Sequence, residues 1–297
     1  MRKLLLLLAA LAPCMATLQA HAAITVLDDD GNAVTLQKPA RRVIAMAPHV
    51  TELLFAAGGG ERIVGAVSYS DYPEAARNIA HIGDNRQVDM ERVLAMKPDL
   101  IVVWMHGSSQ RQIDTLRQLG VPLFHSEPRK LDDIADSVLR LGKLMGTESV
   151  AQAAAAALTQ QLAALTARYA HRPTVRLFYQ VWDKPLYTLN GAHIVSDAIR
   201  LCGGENIFAK MPVTAPVVSV EGVLQEDPEA IVGSSERSAR DGGVNLWRPY
   251  ASMQAVRAEN LFILDGNLLN RAGPRMIAGT ATLCEKIDIA RQHRKNQ

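Results

Sequence analysis

Hydrophobic and polar positions change period along the chain in a regular order. Residues 24–36 alternate, with Asp30-Gly31 between the two halves. This predicts a β-hairpin that Lys38-Pro39 brings to an end. From Arg42 onward, apolar runs of strand length take turns with segments of helical period. Strands are predicted over 43–46, 63–67, 100–104 and 121–125, and helices near 51–57, 89–96, 109–119 and 131–145. This β-then-α order implies a mostly parallel sheet with helices on its faces.

Residues 148–170, ESVAQAAAAALTQQLAALTARYA, break the alternation. They contain no Gly or Pro and are dominated by Ala, Leu and Gln, all strong helix formers. At 1.5 Å per residue such a helix spans ~35 Å, about the width of a small domain. Thr147 is placed to cap it, and Glu148 falls in the first turn, where the helix dipole favours negative charge. Leu158, Leu162 and Leu165 form one narrow stripe, which predicts packing on one side. Beyond this helix the alternation restarts, with strands predicted over 175–181, 230–233 and 261–264 and helices over 194–201, 220–226 and from 273 onward. Residues 234–249, rich in Ser, Gly and charge, are predicted to form a loop.

The restart is also a repeat. Residues 88–94 (VDMERVL), followed by Pro98-Asp99-Leu100-Ile101-Val102, align without a gap to residues 218–224 (VSVEGVL), followed by Pro228-Glu229-Ala230-Ile231-Val232. Each copy has a capping residue (Asp89, Ser219), a Glu two places on (Glu91, Glu221), an apolar pair, a helix-ending Pro and a strand. Gly59-Gly60-Glu61-Arg62-Ile63 likewise matches Gly203-Gly204-Glu205-Asn206-Ile207, at helix ends that suit left-handed glycine. The expected architecture is α/β: two similar lobes with mostly parallel sheets, joined by one long rigid α-helix. The divisions are a hairpin at 23–40, a first lobe at 41–146, the linking helix at 147–172 and a second lobe at 173–297. Ligands of open α/β sheets bind beyond the carboxyl ends of the strands, so two facing lobes make a cleft. Bending the connector would break backbone hydrogen bonds, so little hinge closure is expected.

Composition adds a compartment. Arg2 and Lys3 precede an apolar run over 4–12, and Ala20-His21-Ala22 offers a small-x-small cleavage site, the pattern of a secretory signal peptide over 1–22. Pro13 before Cys14 fits a lipidation site poorly. The chain carries 32 Lys and Arg against 30 Asp and Glu, and two of the basic residues lie in that leader, so the remainder is balanced and gives no reason to invoke nucleic acid. Cys202 and Cys284 remain after the leader; in an oxidising compartment the even count suggests a disulfide, with two buried thiols as the alternative. The eight histidines are scattered without metal-ligand spacing. Gly58-Gly59-Gly60 ends a helix where a dinucleotide fingerprint would open one, and no P-loop or G-x-S-x-G elbow is present. An enzyme is therefore not expected.

Several residues fall at the carboxyl ends of predicted strands or in the loops that follow them: His49, Tyr69, Tyr72, Trp104, Trp182 and Tyr187. Aromatic rings with polar edges suit a flat macrocycle. Packing within turns or the core is the alternative for each. His49 could approach a ligand edge or simply hydrogen-bond within its loop. Glu91 and Glu221 could serve only the helix dipole, yet the same step in both lobes invites a shared role.

Residues 68–73 (SYSDYP), 94–104 (LAMKPDLIVVW), 111–114 (RQID), 201–208 (LCGGENIF) and 271–275 (RAGPR) together carry a resemblance. The chain resembles the periplasmic substrate-binding proteins of ABC importers in which one long helix joins two lobes, the class serving cobalamin, haem and iron-siderophore complexes. Within it the cobalamin binders are most similar. The resemblance covers essentially the whole chain after the leader. It implies that Tyr69, Trp104, Tyr187 and Arg271 contact a corrin ring or its amides, and that Cys202 and Cys284 form a disulfide. It implies that Glu91 and Glu221 meet arginines of a membrane permease, which works with its ATPase. It also implies a monomer that carries its ligand as cargo, with no cofactor and no metal site of its own. Where cobalamin binders have tryptophans on both sides of the cleft, this chain has Asn85 and Ala215, and Asn267 replaces an acidic residue. The N-terminal hairpin is more usual among siderophore binders, so haem and ferric siderophores stay open beside corrinoids.

Overall fold

The computed structural model describes residues 23–84, 87–104, 107–108, 110–235 and 243–295. The chain opens with antiparallel strands β1 (Ile24–Leu27) and β2 (Ala33–Leu36), Ile24 opposite Leu36. Their turn is closed by the Asp28 carboxylate, which accepts the backbone N–H groups of Asp30 at 3.0 Å and Asn32 at 2.8 Å. Then follow β3 (Val43–Ala45), α1 (Pro48–Ala56), β4 (Ile63–Ala66), α2 (Met90–Ala95), β5 (Leu100–Val103), α3 (Gln110–Gln118), β6 (Leu123–His125) and α4 (Leu131–Met145). Helix α1 begins earlier than its apolar period suggested because Pro48 occupies its first turn, where a missing N–H costs nothing. After α5 (Glu148–Tyr169) come β7 (Val175–Gln180), β8 (Trp182–Asp183), β9 (Leu186–Tyr187), α6 (Ile194–Leu201) and β10 (Gly204–Asn206). The chain continues with α7 (Val220–Glu226), β11 (Ala230–Ser235), α8 (Gln254–Arg257), β12 (Leu261–Asp265), α9 (Gly266–Leu269) and α10 (Met276–Lys295).

Each lobe holds a four-stranded parallel sheet. The orders are β4-β3-β5-β6 and β10-β7-β11-β12, so both lobes run second, first, third, fourth strand. Strand β10 escapes a hydropathy reading because its sequence is Gly-Glu-Asn. It is held instead by the buried Asn206 amide, which donates to Leu189 O at 2.7 Å and Ser196 Oγ at 2.9 Å.

The sequence repeat is a repeat of bonds. Asp89 accepts the N–H of Arg92 at 2.9 Å, and Ser219 accepts that of Gly222 at 3.0 Å, capping α2 and α7. Past each helix a non-glycine residue turns left-handed, Lys97 at φ 47° and Asp227 at φ 40°. At the head of each lobe's first strand stands an arginine. Arg42 Nε donates to Met96 O at 2.7 Å, and Arg176 Nη1 to Glu226 O at 2.7 Å. The backbone N–H of Arg42 meets Asp99 at 2.9 Å, and that of Arg176 meets Glu229 at 3.1 Å. The glycine match needs a correction of one residue: the left-handed helix ends are Gly58 (φ 80°) and Gly203 (φ 68°), following Ala57 and Cys202, which share φ −74° and ψ 2°.

Helix α5 keeps its leucine stripe, with Leu162 buried and Leu158 and Leu165 packed on the core, but small residues carry its first half. Ala151 and Ala155 are buried, and a Cβ on Gly142 of α4 would lie 2.3 Å from that of Ala151, so the two helices are in backbone-close contact. Thr147 precedes the helix without capping it; its hydroxyl donates to Ala57 O at 2.6 Å instead. One apolar cluster runs from β3 and α1 through α4 and α5 into β7, α6 and α10. The lobes are thus fused through a common core on the α5 side, which opposes independent movement. Cys202 and Cys284 are joined, tying the end of α6 to α10 with Cα atoms 4.7 Å apart. In the polar loop 234–249, Ser234 and Ser235 extend β11, and Trp247 is fully buried with Nε1 donating to Gln180 Oε1 at 2.6 Å. Among the described residues no helix is long and apolar enough to cross a membrane.

Candidate ligand cleft

Loops from the carboxyl ends of both sheets meet, and charge joins them. Glu52 is the one acid of the mostly apolar helix α1 and is 3 % exposed. Its carboxylate accepts two bonds from Arg275 of the second lobe, Nε to Oε2 at 3.0 Å and Nη2 to Oε1 at 2.6 Å. Arg271 Nη1 lies 3.4 Å from Glu52 Oε1 and 2.7 Å from Asp71 Oδ1, while its Nη2 donates to Asn267 Oδ1 at 2.9 Å. The Arg275 guanidinium sits 3.9 Å from the centre of the Tyr72 ring, a cation–π contact. Burial alone would raise the Asp71 carboxyl, but the hydrogen bond and charge of Arg271 outweigh it and hold it below the usual range. The Glu52 bonds hold the Arg275 guanidinium above its ordinary value against the opposing effect of burial. The 271–275 loop crosses α1 so closely that a Cβ on Gly273 would sit 3.3 Å from Glu52 Oε2.

Around this bridge stand aromatic side chains. Ser68 Oγ is 2.7 Å from His81 Nε2, and Thr51 Oγ1 donates to Ser70 Oγ at 3.0 Å, which anchors both neighbours of Tyr69. Tyr69 is left-handed at φ 65° and turned outward, 62 % exposed. A side chain held at positive φ is a strained choice that the surroundings must enforce. Tyr72 is 45 % exposed. Trp104 directly follows β5, half-buried, and a Cβ on Gly107 would be 1.9 Å from its ring. His49 meets the Trp104 ring edge-on with centroids 5.7 Å apart. It is 6 % exposed, so it stands behind the tryptophan instead of opening into the cleft. Burial, with a lesser effect from the Arg271 charge, pushes its pKa down to about 4 against a bond to the Ser126 backbone.

In the second lobe Trp182 and Tyr187 face each other across the β8–β9 pair, and Tyr187 is bridged to Val217. Trp182 is 39 % and Val217 55 % exposed, with Ala215 and Val213 exposed beside them. Asn267 is half-buried and committed to Arg271. Asn85 lies outside the described residues. Glu91 and Glu221 are exposed on α2 and α7. The site residues that sequence reasoning missed are Glu52, Asp71, Arg275 and Val217. Glu52 had a signal: one acid in the apolar helix PHVTELLFA must find a cation if it is buried.

Among the described residues no group of three or more His, Cys, Asp and Glu is placed to hold a metal. A surface pocket of about 600 Å³ lies between the hairpin and α4, lined by none of the cleft residues and by charges of both signs, including Asp29 and Arg140.

With two lobes, a fused core and a cleft at the strand ends, the chain has the build of a bilobal binding protein. It belongs to the periplasmic binding protein family, whose match spans residues 43–268. A vitamin B12-binding protein of Vibrio cholerae is 37% identical over 255 residues, 86% of this chain and 91% of that protein. The crystal structure of the periplasmic vitamin B12 binding protein of Vibrio cholerae superposes with a TM-score of 0.80 at 37% identity, covering 85% of this chain and 98% of that one. A periplasmic heme-binding protein from Roseiflexus has a TM-score of 0.73 at 24% identity, covering 84% and 99%, and shares the fold alone. The named relative is described by what it binds and the family as binding proteins, and the chain is a binding protein, not an enzyme.

Proposed function

We propose that this protein, exported with loss of residues 1–22, captures cobalamin or a related corrinoid between its lobes and delivers it to the permease of an ABC importer. The observation that carries this reading is the 37% identity over 255 residues to a vitamin B12-binding protein. The exposed aromatics Tyr69, Tyr72 and Trp182, with half-buried Trp104 and Tyr187, support it, because flat rings suit a corrin face. Arg271 supplies a donor for an amide or carboxylate on the ligand's edge. Asn85, Ala215 and Asn267 shape the rim, and His49 serves the site through Trp104. The pieces of this reading are the hairpin (23–40), the lobes (41–146 and 173–297) and the linking helix (147–172), acting as a monomer. Glu91 and Glu221 dock it on the permease.

Calorimetry of the mature chain against cyanocobalamin, cobinamide, haemin and a ferric hydroxamate siderophore tests the ligand. Stoichiometric binding of one or both corrinoids is the expected result. Binding confined to haemin or the siderophore would replace it with the second reading, which the fold shared with a heme-binding protein keeps in view.

A further inference from the structure

We propose that Glu52 is a positioning residue that pins the second lobe to the first and holds Arg271 in place for the ligand. The pin itself stands on the bonds around Glu52; its effect on affinity rests on the reading of Arg271 as a cleft contact.

Glu52 has no partner from its own lobe among the bonds described: its carboxylate is answered by Arg271 and Arg275, both from the loop after α9. Its side chain is 2% exposed, against 49% for Asp71. A buried carboxylate is retained only where cations and hydrogen bonds replace its water, and removing one side of such a pair leaves the other uncompensated. The four groups Glu52, Asp71, Arg271 and Arg275 balance in charge. Without Glu52, two guanidinium groups would share one half-exposed carboxylate, and the bidentate clamp that fixes the 271–275 loop would be gone.

The geometry separates the two arginines by duty. Arg275 gives Glu52 two bonds in a fork and carries the Tyr72 ring. Arg271 gives Glu52 only a 3.4 Å contact and spends its shorter bonds on Asp71 and Asn267. Arg275 is thus the anchor, and Arg271 is the group whose direction the anchor sets. Burial keeps Glu52 itself from touching a ligand.

Two measurements test the pin. The first is hydrogen exchange in the ligand-free mature protein. Glu52→Gln keeps the shape and removes the charge. Amides over 271–276 and 69–72 are expected to exchange at least about tenfold faster, with β5 and β11 unchanged. Unchanged exchange over 271–276 would overturn the proposal whatever the ligand is. Should Glu52→Gln fail to fold, Arg275→Gln removes the same clamp from its more exposed side, with the same expectation and the same disproof. The second measurement is a double-mutant cycle on cyanocobalamin binding. Glu52→Gln and Arg271→Ala are each expected to weaken binding about tenfold, and the double variant little more than Arg271→Ala alone. Additive losses would show that Glu52 supports the fold only and would sink the positioning role. Faster exchange in a protein that binds no corrinoid would leave the pin standing and overturn the ligand reading instead.

Discussion

Lys97 and Asp227 lie at equivalent positions in the two lobes, each just past its helix, and both adopt the left-handed backbone that L-residues avoid. They share the strain but not the compensation. The Asp227 carboxylate accepts the Gln254 N–H at 2.8 Å and its amide Nε2 at 3.0 Å, tying α7 to the start of α8. Glycine removes a left-handed penalty of about 1 kcal/mol. Lys97→Gly is therefore expected to raise the denaturation midpoint, equivalent to about 1 kcal/mol less its unfolded-state entropy. Asp227→Gly is expected to lower it, because the two bonds to Gln254 go with the side chain. Urea titrations of both variants check the contrast.

A buried neutral histidine predicts a pH dependence. His49 titrates at about 4 in the fold, against an ordinary 6.5. Between those values the unfolded chain binds more protons, so stability rises with pH across that window. It is complete above pH ~6.5, falls as pH drops toward ~4 and then levels, a loss on the order of 3 kcal/mol. His193, also lowered to about 4 by burial, acts in the same sense. The depressed Asp71 carboxyl adds stability that disappears as pH falls through its folded value. His49→Gln is expected to shrink the slope between pH 6.5 and 4 without abolishing it, read by thermal unfolding across that range.

The Cys202–Cys284 bridge closes a sequence separation of 82 residues around β10, α7 and the last two strands. Chain entropy assigns such a loop about 4 kcal/mol. Cys202→Ser with Cys284→Ser is expected to lower the unfolding midpoint by a corresponding amount. Because Cys202 lies beyond the cleft loops, cyanocobalamin affinity of the folded fraction should stay within about twofold. Free thiols on both residues in periplasmic material, found by mass spectrometry, would remove the basis of this expectation.

Docking has its own signature. Glu91→Ala and Glu221→Ala should leave ligand affinity nearly unchanged and reduce uptake, and the double change should reduce it further. Exposed pairs contribute about 0.2–1 kcal/mol each, and pairs excluded from water couple more strongly. Association with the permease should weaken with salt. Normal transport by the double variant would reduce both residues to helix-start acids.

Much of this fold was legible because period and punctuation agree. Helices α4, α6 and α7 have the predicted bounds, with a capping side chain or an end residue at each limit. The shared topology of the lobes followed from the repeat around Glu91 and Glu221. Legibility failed where side-chain bonds replace hydropathy. β10 is held by Asn206, and the β8–β9 pair is only two residues long on each side. Trp247 leaves a polar stretch to pack on Phe178 and Tyr250 in the core, where Gln180 accepts its N–H. In the cleft the aromatics announced themselves by type, whereas the sequence around Glu52 signals a need for a cation but not that its arginines lie more than 200 residues away.

Two sheets of one strand order, with matching arginine clamps behind α2 and α7, give the molecule a nearly interchangeable left and right. In the docking proposed above, Glu221 is the second lobe's counterpart of Glu91, each in the first turn of the helix that its lobe repeats. If the receiver is likewise made of two equal halves, that proposal allows the carrier to seat in either of two orientations. What distinguishes the two lobes includes the hairpin on one side and the β8–β9 pair and disulfide on the other. On that proposal, delivery of cargo would be tolerant of how the carrier happens to land.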